Sequence, residues 1–536
     1  MRRGAPVGRV VAAVLLLVSA AGCAAGTGST GPGGRLSYAV EAQPDCMDPQ
    51  ISPYDVTAAI GRNIFDSLVS LDREGTLRPW LATSWKISDD GLDYTFELRE
   101  GVRFHDGTAF TADAVKATLD HAVAPETKSQ YAAGLISMYR GATVLDAHTV
   151  RIHLSRPYAP LLQVLSTATF GIQSPTALRA HQGRTCVHPV GTGPFVFADW
   201  IRNRSIELDR NPAYAWGPEG AAHRGPARLP GLTVQFIPEA ASRFGALSSG
   251  QVDIAAVPPG NISTLRHADG FSFLRAPQPG APYVLLLNPY RAPLDDRRVR
   301  QALQHAVRFD ALVQALYSGQ YQRAWSALSP ATPGYDQRSE GTWAYDPELT
   351  ARLLDEAGWT GRDGAGYRTK DGRRLTVQWP YMASQMRDQR ALLAQGIQAE
   401  AKRAGIEVRL TAMEPGSFLQ KALGRDADLM GFSWNRGDPD IMRTFFASDQ
   451  TARQGGSNAF AVHDSRLDRW LKDASVTRDP AARDALYAKA QRRVNDEALA
   501  LPVYAPATLL GVADRVRGIT TDAQAYPLFY DARWED

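Results

Sequence analysis

Apolar positions in this chain recur with two periods, and stretches of each follow one another in turn rather than in blocks. Alternation over 35–40, 81–85, 94–99, 149–154, 233–237 and 252–256 predicts strands. Ile60, Ile64, Leu68 and Leu71 at helical spacing predict a helix over 57–71, and Ala114, Val115 and Leu119 predict one that starts at Thr111. Residues 191–211 pattern as a hairpin, with Phe195 and Phe197 on one arm, Ile206 and Leu208 on the other, and a turn at Arg202-Asn203. The unbroken apolar run 283–288 predicts a strand buried on both faces. From Asp296 the pattern turns helical, with Val299, Leu303, Ala306 and Val307 on one face. Asp346-Pro347 and Asp479-Pro480 carry the cap-then-proline signature of helix starts, and Gly358 and Gly405 mark helix ends. Strands follow at 375–381, 406–410 and 501–505, with a helix over 387–404 between the first two. Helices and strands interleave with no run of either and no internal repeat, which predicts an α/β protein with mixed sheets. One strand stands apart. In LMGFSWNRGDPD, residues 429–440, an apolar run breaks at a Gly-Asp-Pro turn just after Trp434, Asn435 and Arg436. Strand ends that carry rings and hydrogen-bonding groups into a turn commonly face ligand clefts.

Composition narrows the class. With 536 residues, 44% hydrophobic and 21% charged, the chain has the make-up of a folded protein of two or three domains. A net charge of +3 provides no basic field for nucleic acid. The N-terminus is a targeting segment: Arg2, Arg3 and Arg9 precede a short apolar stretch, 10–21, which ends in Ala20-Ala21-Gly22-Cys23. Small residues before a cysteine resemble the bacterial lipobox. The expectation is a signal peptide over 1–22, lipidation of Cys23, and a Gly/Ser/Thr tether over 23–35 that holds the body outside the cell membrane of a bacterium. Cys46 and Cys186 then remain as an even pair in an oxidising compartment. A disulfide between them is expected, the alternative being two separate buried thiols.

Sequence signatures of catalysis are absent. The ten histidines show no HExxH or other paired metal spacing, there is no GxSxG or SxxK, and Gly191-Thr192-Gly193 lacks the third glycine of a dinucleotide loop. His105, in the turn Phe104-His105-Asp106-Gly107, reads as structural. Gly191 and Gly193 read as positions of special backbone angles, and Arg297, Arg298 and Arg300 as a solvated helix face or a docking surface. No enzyme, cofactor or metal is expected; an extracytoplasmic hydrolase is the remote alternative.

Several blocks carry a family resemblance. They include NIFDSLVSLDREGTLRPWLATSWKISDDGLDYTFELREGVRFHDGTAFTADAV (63–115), GTGPFVFADWIRNRSIELDRNPAYAW (191–216), LSSGQVDI (247–254) and LDDRRVRQALQHAV (294–307). YDPELTARLLDEAGW (345–359), IQAEAKRAGIEV (397–408), 429–440 and YAKAQRRVNDEALALPVY (487–504) continue the series. In this order they resemble the family 5 solute-binding proteins of ABC importers for dipeptides, oligopeptides and nickel. The resemblance implies a two-lobed type II periplasmic-binding fold with a hinged cleft. Lobe I would comprise 36–75, 190–280 and 506–536, with an inserted subdomain over 76–189, and lobe II would be 281–505. It also implies a monomer that captures a solute and delivers it to the transmembrane subunits of a permease. Dipeptide binders of the family hold the peptide ammonium with an Asp in a block like GWTGDNGDPD and its carboxylate with an Arg in a block like VxRPYNP. The matching positions here are Asn435 and Trp379, so both charged anchors are missing and free dipeptides are not the expected cargo. Trp379, Tyr381 and Trp434 form the expected aromatic wall, with Asn435 and Arg436 as polar contacts and Tyr54 and Asp55 facing them from lobe I. Such a wall suits an oligopeptide held by its backbone, with a sugar or a metal–chelator complex as alternatives.

Overall fold

In the computed structural model, residues 33–72, 75–383, 386–451 and 456–535 are described. The signal segment, Cys23 and the tether up to residue 32 lie outside them. Two large sheets share the chain. The strand Gly280–Leu287 is buried at every position, as its unbroken apolar run predicts. It lies between Leu429–Asn435 on one side and Ala500–Ala505 on the other, with Gln322–Arg323 at the far edge of this four-stranded sheet. The other sheet has seven strands, in the order Phe271–Pro277, Ala507–Ala513, Ile254–Ala256, Leu36–Val40, Gly231–Phe236, Ser205–Arg210 and Phe195–Ile201. Leu36–Val40 runs parallel to both its neighbours while the other pairings are antiparallel, so the sheet is mixed. The chain passes between the sheets twice, at 278–279 and at Pro506, and the two passages are bonded by Gln278 N–H to the Pro506 carbonyl at 3.0 Å. Residues 82–154 contribute a separate four-stranded antiparallel sheet, against which the helix Ala112–Val123 packs. Cys46 and Cys186 are joined as a disulfide, with Cα atoms 4.4 Å apart.

The elements differ from the sequence expectation where tertiary contacts override periodicity. The helix expected over 57–71 spans only Asp55–Gly61, and Val69–Leu71 is a strand paired with Leu77–Pro79. Between them the Asn63 and Ile64 carbonyls accept from Phe195 N–H and Gly193 N–H, at 3.1 and 2.8 Å. A Cβ on Gly191 or Gly193 would lie 2.2 or 2.6 Å from the Ile64 oxygen. These glycines therefore serve close backbone approach, not unusual angles. Arg300 is not on a solvated face. It is 4% exposed and donates to the carbonyls of Leu294 and Glu497, each at under 3 Å by one nitrogen, tying its helix to the end of Pro480–Asp496. His105 is structural: its Nε2 lies 3.0 Å from the Gly193 oxygen, and burial pushes it down to about 4.

Asp66, fully buried in lobe I, receives hydrogen bonds from Thr192 Oγ1, Trp216 Nε1 and Tyr214 Oη at 2.9–3.2 Å. Burial outweighs these donors and pushes its carboxyl up to about 7. A carboxyl raised on folding stabilises the fold most when protonated. Its contribution is complete below the unfolded value near 4 and is lost as pH rises through about 7. Unfolding free energies of wild type and Asp66→Asn between pH 4 and pH 7.5 should therefore show a decline in the wild type, on the order of a few kcal/mol, that the variant lacks. Parallel profiles would refute the assignment.

Candidate functional site

The strand Leu429–Asn435 ends with Trp434 opposite Ala281 and Asn435 opposite Gly280. Gly280 has φ +96°, and a Cβ there would lie 2.3 Å from the Trp434 oxygen, so only glycine lets the strand end seat this closely. The seating places Trp434 between the lobe II cluster around Phe445 and the facing segment. The Trp434 ring lies 5.0 Å from the ring of Tyr131, which belongs to the 76–189 segment, and 6.0 Å from that of Phe445. Asn435 is 7% exposed and donates from Nδ2 to the Gln524 oxygen at 2.6 Å, across to the C-terminal segment of lobe I, while its Oδ1 is buried with no partner.

Tyr54 and Asp55 sit on the facing side, where the helix Asp55–Gly61 begins. Asp55 Oδ1 accepts from Tyr526 Oη at 2.8 Å. Tyr54, Asp55, Tyr131, Trp434, Asn435 and Gln524 thus surround one pocket between the lobes, of about 350 Å³ including its open mouth. Four of the seven residues expected at the site meet here: Tyr54, Asp55, Trp434 and Asn435.

The other three do not line it. Trp379 is 1% exposed and packs in the core of lobe II with Leu393, Ile397 and Val408, because its strand Thr376–Met382 turns that face inward over the helix Arg390–Arg403. Tyr381, two residues on, is partly buried near the strand end, away from the pocket. Arg436 points the opposite way from Asn435 and is 2% exposed. Its guanidinium is already engaged by Asp438, at 2.5 and 3.0 Å, and its Nη2 donates to Tyr158 Oη at 3.1 Å. The polar contact expected of Arg436 is thus taken up by the chain's own carboxylate.

That engagement is part of a buried network linking the lobes. Tyr158 Oη, from the 76–189 segment, donates to Asp440 Oδ2 at 2.9 Å. Asp440 also accepts from Arg443 Nε at 3.2 Å and Tyr487 Oη at 3.1 Å. Burial raises the Asp438 carboxyl, and Arg436 opposes that shift. Asp438 and Asp440 beside Arg436 raise the guanidinium well above its ordinary value, against the effect of burial.

Tyr131, Gln524 and Tyr526 escaped the sequence reading because all three lie on loops of lobe I, in stretches without periodicity. A second hollow of about 1480 Å³, open to solvent, lies beside the pocket and shares Gln524 with it. Arg62, Trp80, Tyr214 and Tyr530 line it from lobe I, and Gly437 does so from lobe II. Among the described residues no group of three or more His, Cys, Asp or Glu side chains is placed to hold a metal ion, and no helix is long and apolar enough to cross a membrane.

Two sheet-bearing lobes, a double crossover and a pocket walled from both sides define a solute-binding protein of the type II periplasmic class. The chain belongs to the bacterial extracellular solute-binding proteins, family 5, whose model, described as the middle region, matches residues 76–455. It is thus the solute-binding component of an ABC importer. Among curated relatives it is 29% identical over 467 residues to the glutathione-binding protein GsiB of Shigella flexneri, a match covering 84% of this chain and 86% of that one. Among solved structures it is similar to NikA from Brucella suis in complex with Fe(III)-EDTA, with a TM-score of 0.82 and 27% identity over 94% of this chain and all of that one. DppA from Helicobacter pylori in complex with the peptide STSA follows at TM-score 0.78 and 25% identity, covering 94% and 98%.

Proposed function

We propose that the pocket lined by Tyr54, Tyr131, Trp434 and Asn435 captures a peptide-like solute, that closure about the paired crossovers at 278–279 and Pro506 traps it, and that the loaded form delivers it to the permease. The observation that carries this reading is Asn435. Its Oδ1 is buried, unpartnered and set in the pocket wall, and an unmet acceptor in such a place costs free energy until a donor fills it. A peptide N–H supplies that donor, and the partly buried rings of Tyr131 and Trp434 suit its side chains. The named relatives bind glutathione and a tetrapeptide, which supports a peptide-like cargo. NikA with Fe(III)-EDTA keeps a metal chelate as the second reading. The reading includes no catalysis, a monomeric body with the lobe boundaries set out above, and tethering through Cys23 as a lipoprotein.

The test is native mass spectrometry of protein from its own host, followed by thermal-shift titrations with peptides of two to five residues, sugars and metal chelates. Peptides are expected to stabilise the wild type. Trp434→Ala should weaken them about tenfold, as expected for losing ring stacking worth about 1 kcal/mol together with the area it covers. Stabilisation by sugars or chelates but not peptides would overturn the cargo, and turnover of any panel member would overturn the non-catalytic reading.

A further inference from the structure

The larger hollow lies on the seam between the lobes. Gly437 is the residue that lobe II contributes to it, and a Cβ on Gly437 would lie 3.5 Å from Leu71 Cδ2 of lobe I. Gln524 lines both the hollow and the pocket, and its carbonyl takes the Asn435 amide across the lobes at 2.6 Å. Leu71, Pro218, Ala221 and Leu528 are partly exposed and give the hollow an apolar surface, with the buried rings of Trp80, Tyr214 and Tyr530 among them. The charges along it are met by the chain itself. Arg62 meets Asp522 at 3.3 Å, Arg78 meets Asp72 at 3.0 Å, and Asp531 meets His223 at 2.8 Å, while Glu219 is exposed on the rim. Among the described residues its walls therefore hold no unpaired buried charge. One polar atom is unmet: Gln163 Oε1 is buried with no hydrogen-bond partner among the described residues.

We infer that this hollow is a second ligand site, that it takes a neutral molecule carrying a ring and an N–H or O–H donor, and that its occupation favours the closed arrangement of the lobes. A buried acceptor without a partner costs free energy until a donor reaches it, and Gln163 Oε1 is such an acceptor. The ring covers the apolar surface around Leu71 and Leu528, in the usual division of a small-molecule site into apolar walls and a few polar groups. A charged ligand would have to break one of the existing ion pairs or stay unpaired, and either is costly in a partly buried place. An occupant that touches Leu71 and Gly437 makes contacts with both lobes that exist together only when the lobes are closed, which is the condition for a ligand to drive closure. The second ligand and the solute in the pocket then strengthen each other by the same factor. The site itself is independent of which solute fills the pocket; only this mutual effect rests on the peptide-like reading above.

The test uses 2-phenylacetamide as the probe, beside phenylacetate, 2-phenylethylamine and N,N-dimethyl-2-phenylacetamide, which lacks the amide donor. Each is titrated against the mature protein by ligand-observed NMR. The primary amide should bind wild type with a Kd of about 1 mM, the scale for about ten heavy atoms, and about tenfold more tightly than the other three. Gln163→Leu should bring it down to the dimethyl amide. Thr520→Trp, a change at an exposed position on the rim, should block all four. Trp434→Ala, in the other pocket, should leave probe binding unchanged. Saturating 2-phenylacetamide should lower the radius of gyration of solute-free wild type in small-angle scattering and tighten trialanine binding about fivefold, with neither effect in Thr520→Trp. No binding of the amide, equal binding of all four compounds, or binding that survives Thr520→Trp or is lost in Trp434→Ala would overturn the site. A radius of gyration that does not respond would overturn its effect on closure. Failure of trialanine and every other peptide to bind would strike the peptide-like reading alone, since the probe titrations and the scattering decide the second site without a peptide. Circular dichroism of each variant checks folding, and a folded Gln163→Leu that keeps the full preference for the primary amide also counts against the site.

Discussion

Replacing Arg436 with methionine should destabilise the protein by about 3–5 kcal/mol, the scale for removing one partner from a buried ion pair. The loss is not of a contact alone. Asp438 is 3% exposed and Asp440 is fully buried, and without the guanidinium Asp438 keeps one backbone donor, the Asp440 N–H at 2.9 Å. Its carboxylate would then sit in the interior nearly bare, or take up a proton. Arg443 still reaches Asp440 at 3.2 Å but makes no bond to Asp438. The second variant, Arg436→Met with Asp438→Leu, separates stranded charge from lost packing. Removing both partners should recover most of the stability, because apolar side chains of similar volume commonly replace a buried pair at little cost. Urea unfolding of the wild type, both single variants and the double variant gives the coupling energy. A double variant no better than Arg436→Met would show that packing, not stranded charge, dominates. The network also spans the lobes through Tyr158. Tyr158→Phe should cost only about 1 kcal/mol, but it removes a bond available only when residues 76–189 meet lobe II, so small-angle scattering of that variant should report a more open ligand-free protein.

The same strand end shows what could be read from sequence and what could not. Trp434 and Asn435 are legible because an apolar run stopping at Gly-Asp-Pro is a local signal that marks a strand end. Arg436 carries the same signal, yet its orientation is set by Asp438, Asp440 and Tyr158, the last 278 positions away. Alternation along a strand assigns opposite faces to Asn435 and Arg436; it does not say which face looks into the cleft. Trp379 was placed by matching a motif, and the structure shows that this position faces the lobe II core. Trp379 stands where dipeptide binders carry the anchoring arginine, and no local pattern indicates that Arg387 faces Asp55. The strands were the more legible elements: Gly280–Leu287 is buried throughout as its apolar run predicts, and Phe195–Ile201 pairs with Ser205–Arg210 as the expected hairpin, with a register shift between Phe197 and Asp199. The helix expected over 57–71 failed because the approach of Gly191 and Gly193 fixes the backbone there, a contact across more than 120 residues that no local period encodes.

Substituting serine for both Cys46 and Cys186 should have a comparably large effect, and it should fall on stability more than on binding. The bridge closes a loop of 140 residues. Restricting a loop of that length in the unfolded chain is worth up to about 5 kcal/mol in the chain-entropy picture, and measured values commonly fall nearer 2–4. The segment after Cys46 supplies Pro49, Ser52, Pro53 and Tyr54 to the pocket wall, so the bridge lies next to the site in sequence. Other bonds hold that segment, however. Asp48 is fully buried and meets His121 Nε2 at 2.8 Å and Gln173 Nε2 at 2.9 Å. Met47 N–H bonds the Cys186 carbonyl at 2.9 Å, and Thr57 Oγ1 bonds the Cys46 carbonyl at 2.9 Å, both through backbone atoms that serine retains. The double serine variant should therefore unfold at markedly lower denaturant concentration, while its affinity for ligand below the transition changes less than about threefold, under 1 kcal/mol. Free-thiol titration of denatured, unreduced wild type should find no reactive thiol from Cys46 or Cys186. A serine variant of unchanged stability would place the restraint elsewhere, and one that keeps its stability margin but loses binding would show that the bridge, not Asp48, positions Tyr54.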